Sequence, residues 1–124
     1  MSNIKFAYKC TLFVGLFDKD TKQQEICTEC AEQLIANYFA RHNRCVTLSR
    51  CTGVYRHDDG TTVVEPSIKI EWYLTADDFR AEMLDASDYC PVGVISVLSL
   101  YLNQESVAWE TLSLATSGVY YPQH

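Results

Sequence analysis

The sequence predicts an α+β domain of the ferredoxin-like type. The expected order is β-α-β-β-α-β, with an antiparallel sheet, helices on one face and a protruding hairpin between the second and third strands. Three observations carry this. Apolar residues alternate over residues 4–17, recur in pairs four residues apart over residues 22–42, and alternate again on both sides of an Asp58-Asp59-Gly60 turn. The 124 residues fit one such domain, residues 1–124, with a core over about 4–115 and a short C-terminal tail from Gly118. Hydrophobic residues make up 48% and charged residues 21%, which excludes a disordered or collagen-like chain. A domain of this size buries roughly two thirds of its unfolded surface and needs no disulfide or metal to fold.

In residues 4–17, Ile4, Phe6, Tyr8, Cys10 and Leu12 fall on one face, and the run turns apolar on both faces towards Phe17, as a central buried strand does. Asp18-Lys19-Asp20-Thr21 is a polar turn. The pairs Ile26/Cys27, Cys30/Ala31, Leu34/Ile35 and Tyr38/Phe39 then define the apolar stripe of a helix over about residues 22–42. Thr28, Glu29, Glu32, Gln33, Asn37 and Arg41 form its wet face, and Arg41 and Arg44 place cations at its end, where the helix dipole favours them. Residues 45–55 and 61–64 flank the turn as two antiparallel strands. Pro66 lacks the N–H that a central strand donates, so it is expected at a bulge or where the hairpin arm enters the sheet.

Ile68, Ile70, Trp72 and Leu74 form the inward face of the third strand, with Trp72 in the core. Thr75 with Asp78 three residues on caps a second helix through Phe79, Met83 and Leu84, which Cys90-Pro91 and Gly93 should break or kink. Residues 94–102 are apolar nearly throughout, and periodicity alone does not decide their state. They are read as helix because residues 106–114 supply a better final strand.

The first residues carry no basic stretch followed by an apolar run, and no apolar run nears about 18 residues, so a cytoplasmic protein without membrane contact is expected. In that compartment Cys10, Cys27, Cys30, Cys45, Cys51 and Cys90 should stay reduced. Ten basic against 16 acidic residues give a net charge of -6, which argues against direct binding to nucleic-acid phosphates. No G-x-S-x-G, Walker loop or dinucleotide fingerprint is present, and no cofactor is expected.

Cys27-Thr28-Glu29-Cys30 has the spacing of a redox pair, which in a thioredoxin-like site opens a helix directly after a strand. Here both cysteines belong to the apolar stripe of the expected helix and are read as buried, inert thiols. A zinc site would join Cys27 and Cys30 to Cys45 and Cys51, but the second half of that arrangement has the wrong spacing for a knuckle. His42 and His57 read as solvated surface residues. A Cys51–His57 nucleophilic pair would be separated by about 20 Å of strand.

One polar constellation survives. Glu65-Pro66-Ser67-Ile68-Lys69 enters the third strand, and Asn103-Gln104-Glu105-Ser106-Val107 leads into the last. Breaks at these points leave backbone N–H and C=O groups wanting partners. In one reading Glu65, Gln104, Glu105 and Ser106 cap the breaks and each other. In the other, Glu65, Ser67, Lys69, Gln104, Glu105 and Ser106 form a polar ligand pocket, with Glu65 or Glu105 as acid/base or ligand contact and Lys69 as counter-charge.

Phe13-Val14-Gly15-Leu16-Phe17, Gly53-Val54-Tyr55-Arg56 with Gly60, Glu65-Pro66-Ser67-Ile68-Lys69-Ile70 and Asn103-Gln104-Glu105-Ser106-Val107 come in an order that resembles a small bacterial family, domain of unknown function 3574. The likeness spans roughly residues 6–110, and its last motif is the most specific. The chain departs from the pattern at Pro91-Val92-Gly93 and in its cysteine count. The resemblance implies a ferredoxin-like α+β domain, gives weight to the polar cluster and brings no reaction with it.

The sequence therefore points first to a non-catalytic binding or assembly module, homo-oligomeric through a sheet edge or face. Trp72, Tyr73, Trp109, Tyr120 and Tyr121 are the candidate interface aromatics, with a place in the core as the alternative for each and the favoured one for Trp72. A phage or mobile-element protein that blocks a host defence factor or sequesters a nucleotide signal is one form of this reading. Its partners would be another protein or a second copy, with a small polar ligand. The alternative is a small hydrolase or isomerase using Glu65, Lys69, Glu105 and Ser106.

Overall fold

A computed structural model of the chain describes residues 3–56, 59–83, 92–104 and 106–122. The alternating run near the start becomes two strands, β1 (Ile4–Lys5) and β2 (Tyr8–Gly15). After them come α1 (Thr28–Arg41), β3 (Thr47–Arg56), β4 (Thr62–Leu74), α2 (Ala76–Met83), α3 (Val92–Leu102), β5 (Ala108–Ser113) and β6 (Gly118–Val119). The architecture is mixed α+β. Four strands form an antiparallel sheet in the order β3-β4-β2-β5, and β1 pairs with β6 in a separate two-stranded ladder.

Register follows from the period-2 pattern, because a slip of one residue would turn every apolar side chain to the wrong face. Cys10, Leu12 and Val14 of β2 and Ile68, Ile70, Trp72 and Leu74 of β4 are all buried on one face. Ala31, Ile35, Tyr38 and Phe39 of α1, Phe79 of α2 and Leu98 and Leu102 of α3 join them in one core. The opposite face of these strands carries the Lys9–Glu71 ion pair at 2.7 Å, with Lys69 on the other oxygen of Glu71 at 3.4 Å.

Several elements differ from the sequence reading. Helix α1 starts at Thr28, six residues later than the apolar pairs suggest. The Asp18 carboxylate accepts the N–H groups of Asp20 and Thr21, Lys22 takes a left-handed φ of 62°, and Phe17 bridges Gln24. These local bonds hold residues 18–24 in a turn that a helix would break. Pro66 lies inside the continuous strand β4, paired with Thr52, rather than at a bulge. Its carbonyl accepts the Leu16 N–H, so its missing N–H faces the same side, where β2 has just ended at the Gly15–Ser67 pair, and the pairing with β3 does not need it.

Residues read as a tail include β6, which is held by β1 at the other end of the chain. Among the described residues there are six strands rather than the expected four. Residues 94–102 are helical, Gly93 sits in the first turn of α3, and Thr75 Oγ1 accepts the Asp78 N–H at 3.1 Å. The expected break at Cys90-Pro91, like His57 and Asp58, lies outside the described residues.

Candidate functional site at the end of the central strands

Strands β3 and β4 continue past the end of β2, and the pairs from Thr52–Pro66 to Arg56–Thr62 have no β2 residue beside them. Glu65 sits at this step. It lies on the face away from the core, opposite Gly53 in register, yet its exposure is only 8%. A carboxylate is buried only with partners, and the partner here is the Phe17 N–H, which donates to Glu65 Oε2 at 2.8 Å.

Two glycines make the room. A β-carbon at Gly15 would collide with the Glu65 carboxylate, and one at Gly53 would lie 2.6 Å from both the Tyr55 hydroxyl and Ser67 Oγ. The Phe17 peptide is gripped from both ends, since its carbonyl accepts Gln104 Nε2 at 2.7 Å. Gln104 Nε2 also reaches the Leu102 carbonyl at 3.2 Å and so closes the end of α3. The turn after α3 is stitched to the turn after β2. Asn103 Nδ2 lies 2.9 Å from carboxylate oxygens of both Asp18 and Asp20, and the Lys19 N–H donates to the Asn103 carbonyl.

The Asn103 amide and the two backbone N–H groups hold the Asp18 carboxyl below the usual carboxylate range. A depressed folded pKa stabilises the fold above the unfolded value and loses that contribution as pH falls through the folded one. Asn103 has a φ of 47°, where alanine is strained. Asn103→Ala should therefore lower the melting temperature by a few degrees at pH 7 and raise the Asp18 midpoint in a carboxyl NMR titration. An unchanged Asp18 midpoint would show that the stitch is not made in solution.

These segments wall a cleft of about 820 Å³, lined among others by Gly15, Phe17, Asp18, Tyr55, Glu65 and Gln104. Lys19, Lys22, Arg56 and Asp59 bring charges of both signs to its rim. The cleft falls in the size range of small-molecule sites.

Of the residues singled out in the sequence, Glu65, Gln104 and Ser106 meet at this cleft. Ser67 is buried next to it, its hydroxyl reaching the Glu65 carbonyl at 3.4 Å. Lys69 is not the counter-charge of Glu65. Four residues of strand separate the two by about 13 Å, and Lys69 pairs with Glu71 instead. Glu105 lies outside the described residues. Asp18, Tyr55 and Asn103 were not singled out as site residues, although the Gly53-x-Tyr55 spacing is the trace of a ring folded over a glycine.

The cysteines of α1 are neither buried nor reduced, unlike the expectation from the apolar stripe. Cys27 is the N-cap of α1, Cys30 lies in its first turn, both are exposed, and the two form a disulfide. Helix α1 starts so late that neither sulfur reaches the core. Cys45 and Cys51 are exposed thiols, and among the described residues no cluster of His, Cys, Asp or Glu is arranged to hold a metal. Tyr73, Trp109 and Tyr120 are exposed. No helix among the described residues is long and apolar enough to cross a membrane.

Fold and site together define a small α+β domain with an open cleft of mixed polar and apolar lining beside the end of its central strands. No family model and no curated protein matches the chain in sequence. Among solved structures it is similar to a phage SAM lyase in complex with S-methyl-5'-thioadenosine, at 21% identity and a TM-score of 0.60 over 93% of this chain and 90% of that one. The apo phage SAM lyase gives 18% identity and 0.58 over 96% and 93%. CutA from Synechococcus elongatus gives 16% and 0.54 over 94% and 85%. At these identities the likeness shows a shared fold.

Proposed function

We propose that the chain binds S-adenosylmethionine in the cleft at Glu65 and cleaves it as a lyase. The observation that carries this reading is the buried Glu65 carboxylate, seated against Gly15 at the wall of a cleft of about 820 Å³, in a fold shared with a phage SAM lyase. The strand order β3-β4-β2-β5 supports a ferredoxin-like topology, with the outer part of the β3–β4 pair as an arm beside the cleft.

The chemistry asks little of the protein. S-adenosylmethionine carries a sulfonium, an ammonium and a carboxylate. Attack by its own carboxylate on the γ-carbon breaks the carbon–sulfur bond, leaves the electron pair on sulfur as a neutral thioether and closes a five-membered lactone. Holding the methionyl tail folded is the main catalytic need. Glu65 would grip the ammonium, the rim cations the carboxylate, and the Tyr55 ring the nucleoside or sulfonium. On this reading the chain is a cytoplasmic, phage-type protein that removes a nucleoside metabolite from its host.

A second reading, non-catalytic sequestration of such a ligand, is favoured by the hydrogen bonds already made. One oxygen of Glu65 is occupied by Phe17 and the Gln104 amide by backbone carbonyls. Incubation with S-adenosylmethionine and chromatography of the nucleosides separates the two. Release of methylthioadenosine, faster than in buffer by at least two orders of magnitude, is expected. Saturable binding by calorimetry without that product would replace the lyase with a sequestering protein, and neither would remove this ligand altogether.

A further inference from the structure

We propose that Cys27 and Cys30 form a thiol–disulfide exchange site, separate from the cleft and independent of the chemistry proposed there. The pair opens a 14-residue helix, with Cys27 as N-cap and Cys30 three residues on. Both cysteines are exposed, and their sulfurs are joined. The Cys30 N–H donates to Cys27 Sγ at 3.1 Å, and the Cys27 carbonyl accepts the Ala31 N–H as the first bond of the helix. When the pair is reduced, that N–H and the positive end of the helix dipole both favour a thiolate on Cys27.

The approach to the helix is held without the disulfide. Gln24 Nε2 bonds the Ile26 carbonyl and Thr28 Oγ1, each at 3.0 Å. Reduction thus leaves the two sulfurs in place, able to meet again. A buried structural disulfide resists exchange because no thiol reaches it, whereas this one is open to solvent.

The exchange partner is a low-molecular-weight disulfide of the glutathione type. The Cys27 thiolate attacks one of its sulfurs, forming a mixed disulfide and expelling the first thiolate. Cys30 then loses its proton, and its thiolate attacks Cys27 Sγ. That step breaks the mixed bond, expels the second thiolate and restores the Cys27–Cys30 disulfide. Two electrons pass from the cysteine pair to the partner, and the two protons from the cysteines end on the released thiols. In reverse, a thiol reductant of the same class opens the pair.

The test uses the full chain equilibrated in glutathione buffers of varied ratio, followed by acid quench, alkylation and peptide mass spectrometry. Cys27 and Cys30 are expected to interconvert reversibly and together, as a single two-electron couple. A pair that stays reduced in every buffer, or that does not recover its disulfide after reduction, overturns the proposal. In Cys30→Ser, oxidised glutathione should form a mixed disulfide at Cys27 at least tenfold faster than at Cys45 or Cys51, the exposed thiols that serve as internal controls. Equal rates at the three positions would overturn it as well.

Discussion

Replacing Glu65 with glutamine is expected to lower methylthioadenosine production by ten- to a hundredfold while leaving the protein folded. Glutamine keeps the length of the side chain and a carbonyl oxygen that can still accept the Phe17 N–H, now made to Oε2. What it loses is the negative charge that would hold the ligand's ammonium. A charge-assisted hydrogen bond contributes about 1.5–3 kcal/mol, which is the tenfold to hundredfold expected here. Gly15→Ala approaches the same site from the other side. Its new β-carbon would meet the Glu65 carboxylate itself, so turnover should fall comparably although Glu65 is still present. If both variants keep wild-type turnover, Glu65 only braces Phe17 and the ligand sits elsewhere.

Trp72→Ala should be the most destabilising single change in the core. Trp72 is the largest of the fully buried side chains, placed in register with Cys10 and with its ring centroid 5.0 Å from that of Phe39 on α1. Truncating a buried aromatic costs about 3–5 kcal/mol. For a domain of this length that corresponds to a fall in melting temperature of roughly 10–20 °C. Trp72→Phe is expected to cost less than half as much. Among the described residues the indole Nε1 finds no hydrogen-bond partner, so the ring change removes a buried donor and partly offsets the volume lost. Urea denaturation of the two variants decides the point. Equal costs would mean that the indole N–H is satisfied in solution, and a cost below about 1 kcal/mol for alanine would contradict the burial of this strand.

The cleft was legible in part. Gln104 and Ser106 stand out in the sequence because they follow the end of a buried helix, where backbone groups need partners, and Glu65 stands out through a break expected at Pro66 that the continuous strand β4 does not have. The actual partner, one peptide at Phe17 held from both ends, comes from elements 48 and 87 residues away. No local pattern contains that distance. Lys69 looked like a counter-charge because it is near Glu65 in sequence, but on an extended strand four residues carry it out of reach and beside Glu71.

The sequence by itself determined the strands that alternate against the core and the helical stripe from Ala31 to Phe39, because period and apolar content are local properties that the sheet and helix must respect. Only the tertiary structure decided where α1 begins, and with it whether Cys27 and Cys30 are inert packing or an exposed disulfide. The apolar pairs run back through Ile26 and Cys27 without interruption, yet the Asp18 turn and the Phe17–Gln24 bridge hold that stretch out of the helix, and Asn103, 85 residues from Asp18, pins the turn. The β1–β6 pairing of the two ends of the chain and the closing of the cleft around Phe17 were decided in the same way. Each is a contact between distant residues, whose free energy appears only once the chain has brought them together.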